Sequence, residues 1–323
     1  MRKARRQPPL VLIALLLVCA SACRRATAPP TDGRTAVWLD LSPAIGDPAR
    51  DPGDALALLQ AYGSQRLRVR GVSVTFGNAP LVRSFPAARE LMDRLDTGLL
   101  RPWRGASSPE ERAAPTEATE LLEEALGREA LTVVAVGPAT TLASILLRQP
   151  AIASRVERVV LVAGRYIDDT TTVDAPERLD PNVAADASSF QVVLDSPVPI
   201  TLVPADTSTG VGLEAADVDR LDQGRGPVKL ITPSARAWVQ ARHNRGDGPA
   251  VPIPAMFAVD VAAHPGKGRC EAAVATLGPS GTAGPLRVST ATSGRRVTWC
   301  HTADPDAKMR MLDDVLRVQP LAR

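Results

Sequence analysis

Short apolar runs alternate along the chain with stretches in which apolar residues recur at intervals of three and four. Continuous runs are typical of buried strands, and the intervals are typical of amphipathic helices. The apolar runs cover residues 35–41, 67–76, 131–136, 156–163 and 198–203. The helical stretches cover residues 54–63, 86–96, 116–127 and 139–149. This alternation predicts an α/β fold, in which helices cover both faces of a mainly parallel sheet.

The pattern changes towards the end of the chain. Residues 265–298 are rich in glycine, threonine and serine, and we expect β-hairpins there. With 323 residues, 45% of them hydrophobic, the chain can bury a sizeable core. We interpret residues 35–323 as a single domain.

The first 34 residues differ in composition from the domain. Basic residues precede the apolar run LVLIALLLV, and the sequence ASAC follows at residues 20–23. This order is typical of a secretory signal peptide, and the apolar run is too short to span a bilayer. We expect residues 1–22 to be cleaved, with Cys23 either lipidated in a bacterial lipoprotein or part of a plain secreted protein. An uncleaved anchor is the remaining alternative. Residues 23–34 are polar and contain proline, which predicts a flexible tether.

Charge and cysteine content narrow the possible functions. Removing residues 1–22 takes away four basic residues and no acidic residue, so the formal charge goes from +3 to −1. Nucleic-acid binding is therefore not expected.

The signal predicts a location in the bacterial cell envelope, where the protein is lipid-anchored to the membrane, periplasmic or secreted. In that oxidising compartment, Cys270 and Cys300 either pair as a disulfide or remain as two separate buried thiols.

The loops after the predicted strands are where chemistry is expected, because parallel α/β sheets bind ligands beyond the carboxyl ends of their strands. Segment 38–59, between the first strand and the first helix, is rich in aspartate. The later loops contain GNAP at 77–80, GPATT at 137–141 and RLDPN at 178–182. Calcium prefers carboxylate and carbonyl oxygens, so segment 38–59 has the composition of a metal-binding loop.

Seven segments together resemble the inosine-uridine preferring nucleoside hydrolase family. They follow one another between residues 36 and 265, and they are LDLSPAIGDPARDPGDALALL, VRGVSVTFGNAP, RPWRGASSP, VAVGPATTLASIL, RVVLVAGRY, LDPNVAAD and PAMFAVDVAAHP. The resemblance implies a doubly wound α/β fold and hydrolysis of the N-ribosyl bond, assisted by a calcium ion. It also implies a ribonucleoside or related ribosyl compound as the small-molecule partner. Family members are commonly homo-oligomers.

The resemblance assigns roles to the aspartates that follow the first strand. The family pattern has the form Asp-Thr-Asp-Pro, with a pair of aspartates at the start of the next helix. Asp40 matches the first aspartate, but Ser42 stands in place of the second, a metal ligand and presumed base. In the helix pair, Gly53 replaces the first aspartate and Asp54 keeps the second. Asp40 and Asp54 are thus the catalytic candidates.

The same resemblance implies an incomplete calcium site. Asp54 and the main-chain carbonyl of Val136 match metal ligands, whereas Ala255 stands at the position of a third metal aspartate. Asp51 and Asp47 offer carboxylates for a rearranged site. Turn formation is the alternative role for these two residues, since Asp-Pro pairs initiate turns.

Three polar residues match family positions that contact the sugar. Asn78 matches a position near the ribose, and Asp180 with Asn182 matches an acidic and amide pair that holds sugar hydroxyls. Buried hydroxyls need fixed partners to replace water. Turn or helix-cap chemistry is the alternative role at each position. A further family asparagine is missing from segment 167–176, where threonine and aspartate stand instead.

Histidine and tryptophan add no catalytic candidate. Pro254 stands where the family places its leaving-group histidine. We expect surface or capping roles for the three histidines, His243, His264 and His301. We expect packing roles for the four tryptophans, Trp38, Trp103, Trp238 and Trp299.

Three interpretations of function follow. The first is an envelope-located ribonucleoside hydrolase, whose site is altered at Ser42, Gly53 and Ala255. The second is a non-catalytic lipoprotein that uses the same scaffold for ligand binding or assembly. The third is a hydrolase whose chemistry does not depend on a metal.

Overall fold

A ten-stranded sheet lies at the centre of the fold. The computed structural model describes residues 32–47, 49–166, 180–204, 210–278 and 286–321. The strands are β1 (Thr35–Leu41), β2 (Leu67–Val74), β3 (Pro102–Arg104), β4 (Leu131–Ala135), β5 (Val156–Val162), β6 (Arg165–Tyr166), β7 (Ile200–Val203), β8 (Gly212–Leu213), β9 (Val251–Pro252), β10 (Arg269–Thr276), β11 (Arg287–Ser289) and β12 (Arg295–Thr302). The pair β8 and β9 forms a separate small antiparallel sheet.

Helices occupy both faces of the large sheet. They are α1 (Gly53–Gly63), α2 (Leu81–Met92), α3 (Glu117–Arg128), α4 (Thr140–Arg148), α5 (Pro181–Ala185), α6 (Ala187–Asp195), α7 (Ala215–Leu221), α8 (Pro227–Asn244), α9 (Pro254–Ala263) and α10 (Ala307–Leu316). Short 3₁₀ helices cover Pro109–Ala113 and Pro150–Arg155.

The strand order identifies a doubly wound sheet. The order is β3-β2-β1-β4-β5-β7-β12-β10-β11-β6, and the first seven strands in it are parallel. The chain moves outward from β1 through β2 to β3 and then returns to β4 on the other side of β1. A crevice opens at such a reversal, beyond the carboxyl ends of the strands. The predicted α/β fold with a mainly parallel sheet is confirmed.

Side chains of β1 alternate between two hydrophobic cores. Val37, Leu39 and Leu41 pack in a core shared with α1, α8, α9 and α10. Trp38 packs in the opposite core, shared with α3, α4 and α6. Because successive strand residues point to opposite faces, Asp40 belongs to the same face as Trp38.

The predicted strands match the structure to within two residues at either end. Three of the four predicted helices match within one residue at either end. The helix predicted over 86–96 is present, but its bounds were wrong, because α2 begins at Leu81 and ends at Met92. Pro86 lies inside α2. Its ring leaves the carbonyl of Val82 without a helical donor. Val82 is 75% exposed, so water can solvate that carbonyl.

The segment expected to form hairpins contains antiparallel strands. Strand β10 pairs with both β11 and β12, and Cys270 lies opposite Cys300 in the pairing of β10 with β12. The two cysteines are joined as a disulfide. Within the described ranges, no helix has the length and apolar character needed to cross a membrane.

Candidate functional site

A cavity of about 350 Å³ lies beyond the carboxyl ends of β1, β4 and β5. The loops after β1 and β2 form one side of it, and α5, α8 and the start of α9 form the rest. The lining side chains with hydrogen-bonding or charged groups are Arg50, Asp51, Asp54, Asn78, Asn182, Trp238 and Arg242. The loops singled out in the sequence therefore meet at the reversal of strand order.

Asp54, at the start of α1, is held by the loop after β1. Its Oδ2 accepts a hydrogen bond of 2.7 Å from the backbone N–H of Ser42. Burial raises the pKa of Asp54 to about 7, the N–H of Ser42 lowers it, and the nearby carboxylates of Asp51 and Asp40 raise it further. A carboxyl group with a pKa near neutrality can exchange protons at physiological pH.

Ser42 does not supply an oxygen to the cavity. Its hydroxyl donates to the carbonyl of Ala79 at 3.0 Å and accepts from the N–H of Ala79 at 3.1 Å. The Ser42 hydroxyl also lies 3.1 Å from that of Ser84, and Ser42 is fully buried. The serine therefore ties the loop after β1 to the loop after β2.

The carboxylate of Asp51 occupies the space next to Gly53. The N–H of Gly53 donates to Asp51 Oδ1 at 2.7 Å. A Cβ atom at Gly53 would lie 2.9 Å from that oxygen and 3.6 Å from the Cβ of Ala255. Asp51 therefore places a carboxylate next to position 53, where the resemblance implies an aspartate that this chain lacks.

The environment of Asp51 also sets its protonation. Burial raises the pKa of Asp51 to about 6, while the N–H of Gly53 and the positive charge of Arg242 lower it. The carboxyl group is mostly ionised at pH 7. Both cavity aspartates can therefore take up a proton near neutral pH.

Asn78 holds the backbone of the aspartate loop. Its Nδ2 donates to the carbonyl of Asp51 at 2.7 Å and to that of Ser42 at 3.2 Å. Its Oδ1 accepts from the N–H of Asp51 at 3.3 Å. The loop that follows β2 contains Gly77, with φ +138° and with Pro138 2.7 Å from the place of a Cβ atom. Only glycine suits that backbone conformation.

Asp180 and Asn182 bond mainly to the backbone. Asp180 caps α5, because its Oδ1 accepts from the N–H groups of Asn182 and Val183 at 2.9 and 3.4 Å. Its Oδ2 accepts from the N–H of Gly164 at 2.9 Å. The amide of Asn182 donates to the carbonyls of Val136 and Val162 at 2.8 and 2.9 Å. Asn182 lines the cavity, whereas Asp180 lies behind it, so sugar binding by Asp180 stays a prediction.

Asp40 lies on the α4 side of the sheet and does not line the cavity. Its Oδ1 accepts from the hydroxyls of Ser73 at 2.6 Å and Thr141 at 3.1 Å. Its Oδ2 is buried and has no hydrogen-bond partner among the described residues. Burial raises the pKa of Asp40 to about 7, against the lowering effect of the two hydroxyls. A catalytic role for Asp40 stays a prediction.

Arg50, Arg242 and Trp238 also line the cavity, and none of the three was expected there from the sequence. Arg242 and Trp238 lie four residues apart on α8, so they share one face of the helix. The guanidinium carbon of Arg242 lies 5.3 Å from the centre of the Trp238 ring. Trp238 also packs against the hydrophobic core, as expected from the sequence. The four-residue spacing of Trp238 and Arg242 was the sequence signal that could have placed these two residues on one face of a helix.

The donor set does not match the needs of calcium, which family members generally bind. Calcium takes six to eight oxygen ligands. The cavity offers the carboxylates of Asp51 and Asp54, the carbonyl of Val136 and the amide oxygens of Asn78 and Asn182. The carbonyl of Val136 already accepts a hydrogen bond from Asn182, and the amide oxygen of Asn78 accepts one from Asp51. Across the part of the chain that the structure describes, no three His, Cys, Asp or Glu side chains are grouped so that they could hold a metal.

Comparisons with known proteins place the chain in a family. The sequence model of the inosine-uridine preferring nucleoside hydrolases matches residues 37–317. The pyrimidine-specific ribonucleoside hydrolase RihA of Salmonella typhimurium is 26% identical over 210 residues, which are 56% of this chain and 66% of that protein. RihA of Klebsiella pneumoniae is 27% identical over 222 residues, which are 60% of this chain and 70% of that protein. The chain thus aligns with just under two thirds of the Salmonella protein.

Solved structures show the same fold. A purine-preferring ribonucleoside hydrolase from Gardnerella vaginalis superposes with a TM-score of 0.73 at 16% identity, covering 87% of this chain and 98% of that one. The plant nucleoside hydrolase PpNRh1 gives a TM-score of 0.71 at 16% identity, covering 89% of this chain and 99% of that one. The fold, the strand-end cavity and the family match agree, and the chain belongs to the inosine-uridine preferring nucleoside hydrolase family.

Proposed function

We propose that this protein binds a ribonucleoside in the strand-end cavity and hydrolyses its N-glycosidic bond. One observation carries the proposal: the carboxylate of Asp51 lies beside Gly53, close enough to Asp54 to raise the pKa of that residue. The cavity therefore keeps two adjacent carboxyl groups although the family aspartates at positions 53 and 255 are replaced. The Salmonella and Klebsiella relatives, named as pyrimidine-specific ribonucleoside hydrolases, support this activity.

Asp51 acts as the general base in the proposed reaction. The N–H of Gly53 fixes Oδ1 of Asp51, and the carboxylate takes a proton from a water molecule that attacks the anomeric carbon of ribose. The bond from the anomeric carbon to the nucleobase nitrogen breaks, and its electron pair stays on that nitrogen. The departing nucleobase then takes a proton from solvent. Asp54, oriented by the N–H of Ser42, hydrogen-bonds the sugar beside the water.

Calcium is not required by this mechanism, although it is the cofactor that the family implies. The test is the release of reducing sugar from purine and pyrimidine ribonucleosides by the full chain, with added calcium and with a chelator. Both base classes belong in the panel because the Salmonella relative is named pyrimidine-specific and the Gardnerella relative purine-preferring. We expect release that the chelator does not abolish. Chelator-sensitive release would instead support a rearranged calcium site built on Asp51 and Asp54.

Two variants test whether Asp51 is the general base. Asp51→Asn removes the proton acceptor while keeping the shape of the side chain, and we expect turnover to fall by about 100-fold. Asp96→Asn is the matched control, because Asp96 accepts from the N–H of Gly98, two residues further on, as Asp51 accepts from the N–H of Gly53, and Asp96 lies outside the cavity. Equal loss in both variants would contradict the assignment. No turnover by folded protein under any condition would favour a non-catalytic ligand-binding or assembly protein.

We also propose that the protein reaches the bacterial cell envelope through residues 1–22 and is anchored to the membrane by lipid on Cys23. These residues lie outside the described part of the chain, and the sequence ASAC with the preceding apolar run supports the proposal. The substitution Cys23→Ser should move the protein from the membrane to the soluble periplasmic fraction, and cell fractionation measures this change. Homo-oligomer formation stays a prediction.

A further inference from the structure

We propose that a second cavity, at the amino ends of the parallel strands, binds a phosphate group through Arg158 and Thr132. This amino-end cavity has a volume of about 400 Å³. Residues near the starts of β1, β4, β5 and β7 line it, together with the turn that follows α9. The candidate hydrolase site lies beyond the carboxyl ends of the same sheet, so this inference does not rest on the proposed function.

The face of the sheet that packs beneath α9 becomes polar where it reaches the amino-end cavity. Val134 and Val160 belong to the hydrophobic core on that face. Thr132 and Arg158 stand two positions earlier on the same two strands, and therefore on the same face. Thr132 also pairs in register with Arg158, so the two backbones lie about 5 Å apart. Both residues line the cavity side by side.

The hydroxyl of Thr132 has no partner within the protein. Thr132 is fully buried, and its Oγ1 forms no hydrogen bond with any described residue. A buried hydroxyl costs stability until a hydrogen-bond partner reaches it. Three further threonines line the cavity from neighbouring strands: Thr35, Thr201 and Thr298. The cavity therefore presents hydroxyl groups that can donate to the oxygens of an anion.

Arg158 brings a positive charge that no carboxylate among the described residues pairs with. Its Nη2 donates to the carbonyls of Val261 and Ala262, at the end of α9, at 3.3 and 3.0 Å. These bonds orient the guanidinium without neutralising it, and they leave Nε and Nη1 as donors. Burial lowers the pKa of Arg158, and the nearby charge of Glu157 offsets this only in part. An anion in the cavity would supply the missing negative charge.

The turn after α9 adds a second positive charge at the amino-end cavity. Lys267 lines the cavity, and its backbone N–H donates to the carbonyl of His264 at 3.0 Å. The charge of Lys267 acts on Asp304, but that carboxylate is already paired with Arg310 at 2.6 Å. Positive charge is therefore in excess around the cavity.

Phosphate matches this set of donors. Its oxygens accept hydrogen bonds from guanidinium groups and from hydroxyls, and each bond to the charged group is strong. A cavity of about 400 Å³ also has room for a small organic group attached to the phosphate. The phosphate can therefore come from a soluble phosphate compound or from the headgroup of a lipid.

Calorimetry on the full chain at constant ionic strength tests this inference. The probes are inorganic phosphate, glycerol 3-phosphate and glycerophosphoglycerol, which is the headgroup of phosphatidylglycerol without its acyl chains. We expect Arg158→Gln to weaken the binding of the tightest probe by at least about tenfold. Thr132→Val keeps the shape of the side chain and leaves the contacts of Arg158 with α9 in place, and we expect about fivefold weaker binding.

Arg155→Gln is the matched control. Arg155 lies three residues before Arg158 and donates to the carbonyl of Leu126 at 2.8 Å, but it does not line the cavity. We expect Arg155→Gln to bind the probes as the unaltered chain does. Urea denaturation of each variant verifies that it is folded.

The choice of probe identifies the source of the phosphate. Tightest binding of glycerophosphoglycerol would support a lipid headgroup, and tightest binding of inorganic phosphate or glycerol 3-phosphate would support a soluble compound. The inference fails if no probe binds to folded protein. It also fails if Thr132→Val and Arg158→Gln bind as tightly as the unaltered chain, or if Arg155→Gln weakens binding as much as Arg158→Gln does.

Discussion

Two groups of acidic residues lie at the two ends of α9, and they are stabilised in different ways. At the end of α9, Asp260 and Asp304 are paired with Arg310 at 2.8 and 2.6 Å. Hydrogen bonds from Arg310 hold the pKa of Asp304 at about 2. At the start of α9, Asp51 and Asp54 bond to backbone N–H groups, and burial raises their pKa values to about 6 and about 7.

The difference separates structural acids from functional ones. A carboxylate paired with arginine stays ionised and contributes to stability. A buried carboxyl group held only by backbone donors costs stability when it ionises, and the cost is retained where proton transfer is useful. The cavity acids belong to the second kind, which supports their assignment to chemistry.

Removing Arg310 should give the largest effect on stability. Arg310→Met leaves Asp260, whose side chain is 3% exposed, without its arginine partner, and the ring of His264 remains 3.1 Å away. Because an unpaired buried charge is costly, we expect the free energy of unfolding to fall by about 3 kcal/mol, measured by urea denaturation. Arg236→Met removes an exposed arginine paired with Asp219 and serves as the control, with an unchanged urea midpoint expected. A small change in Arg310→Met would show that the Asp260 pair is not structural.

The pH dependence of stability should show the two groups with opposite signs. The folded pKa values of Asp40 and Asp54 are about 7, above the reference value of 3.8, so their contribution is fully present below pH 3.8 and is lost as the pH rises towards 7. The folded pKa of Asp304 is about 2, so its contribution is present above pH 3.8 and is lost as the pH falls towards 2. We expect these groups to give a maximum of stability near pH 4.

Urea midpoints measured from about pH 3 to about pH 8 check this dependence. Asp40→Asn removes one of the groups with a raised pKa and should flatten the fall above pH 4. A midpoint that rises steadily from pH 4 to pH 7 would contradict the raised pKa values. Turnover should change in the opposite direction, rising through pH 6 as Asp51 ionises.

Much of the fold follows from hydrophobic periodicity, whereas the site depends on the path of one loop. Strands β1, β4 and β5 could be predicted because their residues are apolar in continuous runs. The position of the Asp51 carboxylate could not, since it depends on how the loop after β1 turns back to the N–H of Gly53. Asp180, in contrast, was a site candidate from the sequence because it matches a family position, and in the structure its side chain caps a helix.

The variant with the smallest expected change in stability, Gly53→Ala, tests the placement of Asp51 most directly. In Gly53→Ala, the new Cβ would lie 2.9 Å from Asp51 Oδ1, which is the end of a side chain and can move aside. We expect stability to change by less than about 1 kcal/mol and turnover to fall on the order of tenfold, because the base is displaced. Gly127→Ala in α3 is the matched control, since nothing lies within 4 Å of its new Cβ. Loss of turnover in Gly53→Ala alone would show that the Asp51 carboxylate must occupy the space beside Gly53. Full turnover in both variants would mean that the reaction does not use the carboxylate in that position.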